Sequence, residues 1–158
     1  MTNWLAEMKE LLKNKTENFT NQEKENLSFE YLKNLLTKIE GKFIIEESEL
    51  QSKIEFVINE IPSKTDGKRI NYKTRHLNEI TNLQSYVEQK FNFIKKGKFK
   101  KSYMLLGIPF GLPLGLPFGA AIGKIGLSLL IGMPIGMIIG LIVGYYVDKK
   151  AENENRVL

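Results

Sequence analysis

Between Ser102 and Val147 the chain carries a single charged residue, Lys124. It splits that segment into apolar stretches of 22 residues (102–123) and 23 residues (125–147). A helix rising about 1.5 Å per residue needs about 20 residues to cross a hydrocarbon core of about 30 Å, so each stretch can span a bilayer. The break at Lys124-Ile125-Gly126 then folds the pair into a hairpin with both ends on one side.

Within this segment ten of the 38 residues from Gly107 to Gly144 are glycine, and nine of those fall on two ladders with a step of four. The first is Gly107, Gly111, Gly115, Gly119 and Gly123, and the second is Gly132, Gly136, Gly140 and Gly144. Four residues turn a helix by about 400°, so each ladder is a groove drifting slowly along one side. In lipid, helices gain little by burying apolar surface against each other and associate through close backbone approach, which small residues permit. Glycine costs a water-exposed helix about 1 kcal/mol per residue, but in hydrocarbon the alternative is unsatisfied backbone, and the helix survives. A shift of 25 residues overlays "LLGIPFGLPLGLPFG" on "LIGMPIGMIIGLIVG" with seven identities in fifteen, an internal repeat of one spanning unit.

The GxxxGxxxG pattern of Gly107–Gly144 resembles the glycine-zipper transmembrane family of small bacterial membrane proteins. The resemblance implies close-packed membrane helices in a bacterial inner membrane, in a family that includes pores, channels and envelope proteins. The first span departs from a plain zipper. Pro109, Pro113 and Pro117 lie opposite the groove, and the two interior ones, Pro113 and Pro117, each free a carbonyl one turn back and predict a kink. That face meets lipid, water or protein, and the choice separates an anchor from a pore.

Charge is distributed to match. Residues 1–93 balance 14 Lys/Arg against 15 Asp/Glu, whereas residues 94–101, "IKKGKFKK", hold five lysines and no acid. The net charge of +5 therefore comes from one cluster: Lys95, Lys96, Lys98, Lys100 and Lys101. A nucleic-acid-binding domain spreads basic residues over a face, so nucleic acid is not an expected partner. A cluster abutting an apolar span instead marks the cytoplasmic edge of a membrane with anionic headgroups. Tyr103, Tyr145 and Tyr146 stand where an aromatic belt belongs, and Lys124 snorkels to the far headgroups or lines a pore mouth. Both termini are then cytosolic.

Residues 1–96 read as a cytosolic domain of about four helices. Trp4, Leu5, Met8, Leu11 and Leu12 form the first apolar face. Thr20-Asn21-Gln22-Glu23 is a capping box opening a second helix that carries Leu27, Tyr31, Leu32, Leu35, Leu36 and Ile39 and stops at Gly41. "KFII" (42–45) is a buried connector. The third helix, Ser48 to Ile61, ends at Pro62, and a turn on Asp66-Gly67 leads to the fourth, Ile70 to Lys96. Its expected inward seam is Leu77, Ile80, Gln84, Val87, Phe91 and Ile94. The whole is all-α: this bundle, a basic hinge at 97–101, the glycine-zipper hairpin at 102–147 and a polar tail at 148–158.

Catalysis has little to stand on. There is no cysteine, and the single histidine, His76, lies in a polar stretch that predicts a surface position. Gly67-Lys68 lacks both the upstream glycine and the following Ser or Thr of a phosphate loop. Glu46, Glu47 and Glu49 read as a solvated helix start, Trp4 as core packing and Asp148 as the water boundary. The expectation is a non-enzymatic, cofactor-free membrane protein that forms homo-oligomers through its glycine grooves and offers residues 1–96 to a protein partner. A pore of packed hairpins is the alternative, and an anchored enzyme a weaker one.

Overall fold

The structure, a computed structural model, describes residues 2–40, 48–62 and 74–158. Among them the chain is all-helical and forms two compact units, Met1–Ile94 together with Leu158, and Lys95–Val157. Gly41, the "KFII" segment, Glu46, Glu47, the Asp66-Gly67 turn and Ile70 lie outside the described residues.

The first unit holds α1 (Thr2–Thr16), α2 (Asn21–Asn26), α3 (Phe29–Glu40), α4 (Ser48–Asn59) and α5 (Thr74–Phe91). Leu5, Met8 and Leu12 put one face of α1 into the core, where it packs on α3 and α4. Trp4 packs beside them, half-buried, and its indole N–H donates to the Glu55 carboxylate of α4. At α2 the Thr20 hydroxyl accepts the Glu23 amide at 3.3 Å and the Glu23 carboxylate accepts the Thr20 amide at 2.7 Å, so the capping box is closed in both directions.

One helix was expected from Thr20 to Ile39, and the structure breaks it. Ser28 takes a left-handed conformation (φ 56°), and the chain turns so that Leu27 and the α3 stripe Tyr31, Leu32, Leu35, Leu36 and Ile39 are all buried. A side chain at positive φ is disfavoured by about 1–2 kcal/mol, and burying those six residues outweighs it. The fourth helix also ends early. Asn92 adopts φ 58°, a conformation asparagine tolerates better than most residues, and stops α5 at Phe91. Phe93 and Ile94 then leave the helix and are buried.

The α5 seam is rotated from the expected one. Its buried residues are His76, Ile80, Leu83 and Val87, while Leu77 is 39% exposed and Gln84 only half-buried. The stripe keeps alternating steps of three and four but starts at residue 76 instead of 77, so the helix is turned by part of a residue step against the expected face. Leu158 completes the unit: it is buried in the same core and its amide donates to the Ile94 carbonyl at 2.9 Å.

The second unit is a hairpin of α6 (Lys98–Ala121) and α7 (Ile125–Asn153). Within the basic segment 97–101, α6 begins at Lys98 with Gly97 (φ 72°) just outside it. Similarly, the first residues of the 148–158 segment continue α7 to Asn153.

Candidate functional site

The seam between α6 and α7 is where the unusual residues of this chain converge. Gly107, Gly111, Gly115 and Gly119 are all buried on one side of α6. A β-carbon built on Gly107 would strike the Gly136 carbonyl, one on Gly111 the Gly132 carbonyl, and one on Gly115 the Ser128 carbonyl. From the other side, Gly132 faces the Gly111 carbonyl, Gly136 faces Gly107, and Gly140 faces the Tyr103 carbonyl. Gly144 comes close to Lys100, whose Cα would lie 2.6 Å from an added β-carbon. Each four-residue step up α6 is matched by a four-residue step down α7. The helices are thus antiparallel, in register, and too close for a side chain at any of these glycines.

Gly123 does not belong to that seam. It sits at φ 68° with nothing within 4 Å of a β-carbon, and its amide donates to the Ala120 carbonyl at 3.1 Å. It is the glycine that ends α6, and the next amide, Lys124, returns to the Gly119 carbonyl at 2.9 Å. Lys124 itself is exposed at the turn.

Two residues extend the α7 ladder in both directions, and neither is glycine. Ser128, four residues before Gly132, is 4% exposed; its hydroxyl lies against Gly119 with no hydrogen-bond partner among the described residues. Asp148, four residues after Gly144, is 8% exposed rather than solvated as its sequence suggests. Its carboxylate accepts the backbone amides of Phe99 at 3.1 Å and Lys100 at 2.9 Å. Gly97 offers no side chain to cap α6, and Asp148 supplies the missing acceptor from the neighbouring helix, where negative charge also meets the positive end of the α6 dipole. The signal for both residues was present as the continuation of a step of four. It was missed because that step was read for glycine alone.

The antiparallel register gathers the charges. Lys98, Lys100 and Lys101 in the first turn of α6 share one end of the hairpin with Lys149 and Lys150 of α7, and Lys95 and Lys96 lie just before α6. Lys98 is half-buried and the other six are exposed. Lys149 Nζ stands 6.0 Å from the Tyr145 ring centre, and Tyr103 packs near Phe99 at 6.3 Å between ring centres. Tyr145 and Tyr146, at the same end as Tyr103, are exposed. From Tyr103 to the end of α6 at Ala121 the rise is about 27 Å, close to the thickness of a hydrocarbon core.

Outside the seam both helices present apolar surface. Phe110 is 74% exposed and Leu130 71%, joined by Leu105, Leu106, Leu114, Leu116, Phe118, Ile138, Ile139 and Ile142. Core helices of water-soluble proteins hide such residues, whereas here the small residues are hidden and the large ones face out. Two helices are thus long and apolar enough to cross a membrane, with mean hydropathy of 1.6 and 2.0. Pro109, Pro113 and Pro117 also face outward, and α6 runs through all three without interruption. A helical carbonyl normally accepts the amide four residues on. Those of Leu105, Pro109 and Pro113 have a proline there and lose that donor.

In the bundle, the surface position expected for His76 is overturned: it is fully buried. Neither ring nitrogen has a hydrogen-bond partner among the described residues. Burial pushes its pKa below the ordinary 6.5. The Leu27 carbonyl, the Glu60 carboxylate and the Val57 carbonyl oppose the shift, without a hydrogen bond of ordinary geometry, and the Lys15 ammonium adds to it. The Tyr31 hydroxyl is likewise buried and unpartnered, its pKa raised first by burial and then by the Glu88 charge. A hollow of about 350 Å³ between α4 and α5 is lined by Glu49, Lys53, Phe56 and Glu79. Among the described residues no group of His, Asp or Glu is placed to hold a metal ion.

No protein-family model, curated protein or solved structure matches the chain.

Proposed function

We propose that the chain is a non-enzymatic integral membrane protein of the glycine-zipper type, with α6 and α7 spanning a bacterial inner membrane and both termini cytosolic. The observation that carries this reading is the inverted hairpin: small residues buried at the seam, large apolar residues exposed on every outer face. Only a hydrocarbon solvent makes that arrangement favourable along the full length of two helices. Seven lysines at one end against Lys124 at the other support the orientation by the positive-inside rule. The lysine end would bind anionic headgroups, at about 1 kcal/mol for each lysine near the surface.

Copies of the chain would associate through the outward faces of α6 and α7 rather than through the glycine grooves expected from the sequence, because those grooves are occupied within each hairpin. The helical bundle is the part offered to a cytosolic protein partner, and the open hollow beside Phe56 is one concave feature on it. Alkaline carbonate extraction of native membranes tests the reading. Retention of the full chain in the pellet is expected, and release into the supernatant would overturn it.

A further inference from the structure

The helical bundle carries a second hollow, whose chemistry differs from that beside Phe56. It holds about 300 Å³ and lies where α1 packs on α3. Leu12 of α1 and Leu36 of α3 close its floor, both almost fully covered, and half-buried Phe29 forms a wall. The rim is basic. Lys9 and Lys13 stand about one turn apart on α1, and Lys33 lines the hollow from α3. Lys24 of α2 brings its Nζ to 5.5 Å from the Phe29 ring centre. Four ammonium groups thus gather around one apolar depression.

The helical pattern puts them there. Lys9 and Lys13 follow the buried Met8 and Leu12, and Lys33 follows the buried Leu32, so each falls at the edge of a core-facing stripe. A lysine at such an edge lays its alkyl stem along apolar surface and keeps its ammonium in water. The bundle does little to neutralise this charge. Glu40 reaches Lys9 at 2.6 Å and Glu30 stands 3.8 Å from Lys33, but both are exposed surface pairs that contribute little and open to a competing carboxylate. Among the described residues Lys13 and Lys24 form no ion pair.

An apolar depression ringed by positive charge is complementary to an apolar side chain flanked by negative charge. Shape narrows the choice further. A surface that binds a bilayer projects Trp, Phe or Leu outward to enter the lipid. Here the leucines lie at the bottom of a hollow, so the surface receives a side chain rather than inserting one. Its volume is at the lower end of ligand-sized hollows, with room for a large side chain and not for the paired chains of a phospholipid.

We propose that this hollow docks an acidic segment of a cytosolic protein partner, seating one aromatic or leucine side chain over Leu12 and Leu36. Flanking Asp or Glu carboxylates pair with Lys9, Lys13, Lys24 and Lys33. This rests on the reading of the bundle as the partner-binding part, and it names the surface and the partner's chemistry. Charge attraction speeds the encounter and weakens with salt, while the seated side chain sets how long the partner stays.

The test uses the full-length chain in neutral detergent micelles and fluorescence anisotropy. One fluorescein-labelled peptide bears glutamates on both sides of a single phenylalanine, and a second carries serine in its place. The phenylalanine peptide should bind at least about tenfold more tightly. Lys13→Gln combined with Lys33→Gln should weaken it at least about tenfold, and Lys100→Gln with Lys101→Gln, which removes the same charge elsewhere, less than about twofold. Lys13 and Lys33 are exposed, so an unchanged melting temperature should show that the first double variant still folds.

Equal affinity for the two peptides, equal losses in the two double variants, or no binding by the natural chain would overturn the docking site. So would acetylation that reaches Lys13 and Lys33 in phosphatidylcholine nanodiscs but not in phosphatidylglycerol ones, which assigns that face to lipid headgroups. Retention on carbonate extraction with no peptide bound removes the docking site and leaves the membrane reading standing. Carbonate release with the phenylalanine peptide still bound removes the membrane reading alone.

Discussion

Asp148 and His76 show how much a single residue can decide in this chain. The Asp148 carboxylate holds the Phe99 and Lys100 amides and so ties the start of α6 to the end of α7. Asp148→Ala leaves those donors uncapped and should cost about 1–2 kcal/mol, with Asp148→Asn costing less because an acceptor oxygen remains. Hydrogen exchange in micelles checks this, with faster exchange expected at the Phe99 and Lys100 amides first. For His76 the sign follows from burial. The folded state disfavours the charged ring, so stability is full above the ordinary pKa of 6.5 and is lost as pH falls below it toward the lowered folded value. The loss is at most about 1.4 kcal/mol per pH unit. Thermal unfolding between pH 7.5 and 5 should show that slope in the natural chain and a flatter one in His76→Leu. The leucine also removes two unpartnered buried nitrogens, so it should not lower stability at neutral pH.

At the scale of the element, the seam and the outer faces of α6 and α7 answer different substitutions. Leucine at both Gly136 and Gly140 would drive side chains into the Gly107 and Tyr103 carbonyls and separate the helices. The loss should be a few kcal/mol, read as a lower denaturant midpoint in detergent, whereas leucine at Met137 and Ile138 should change little. A finer contrast uses alanine. Gly111→Ala meets backbone at once, while Gly126→Ala has open space around it and should stabilise α7 by up to about 1 kcal/mol through helix propensity alone. Equal midpoints for the two alanine variants would remove the packing account of the ladders.

For the whole molecule the first question is orientation. A reporter fused after Leu158 that is active only outside the cytosol should stay silent, because seven lysines flank the outer ends of the two spans and one stands in the turn between them. Strong signal from that fusion would place the return end on the far side. The bundle is held by apolar contacts among α1, α3, α4 and α5, with Leu158 returning to its core. Truncating Leu158 to alanine should therefore lower bundle stability by about 2–3 kcal/mol, visible as a lower melting temperature of the natural chain's first transition.

The sequence alone determined the features that depend on period and solvent. Apolar runs of spanning length, glycine every four residues, and the capping box at Thr20 each follow from local geometry that no tertiary contact can reassign. The apolar faces of α1, α3 and α4 followed from the same periodicity. Tertiary structure decided what depends on a partner distant in sequence. Gly123 had the spacing of the ladder, but α6 had to stop there, and a left-handed turn needs glycine as much as a close contact does. His76 sat among polar residues, and only the packing of α5 against the rest of the bundle showed which of two overlapping stripes, through residue 76 or residue 77, faces inward. Asp148 looked like a surface charge because its partners, the amides of Phe99 and Lys100, lie 49 and 48 residues away. A helix terminus shows in sequence that it needs a cap, but only the fold brings the residue that provides it.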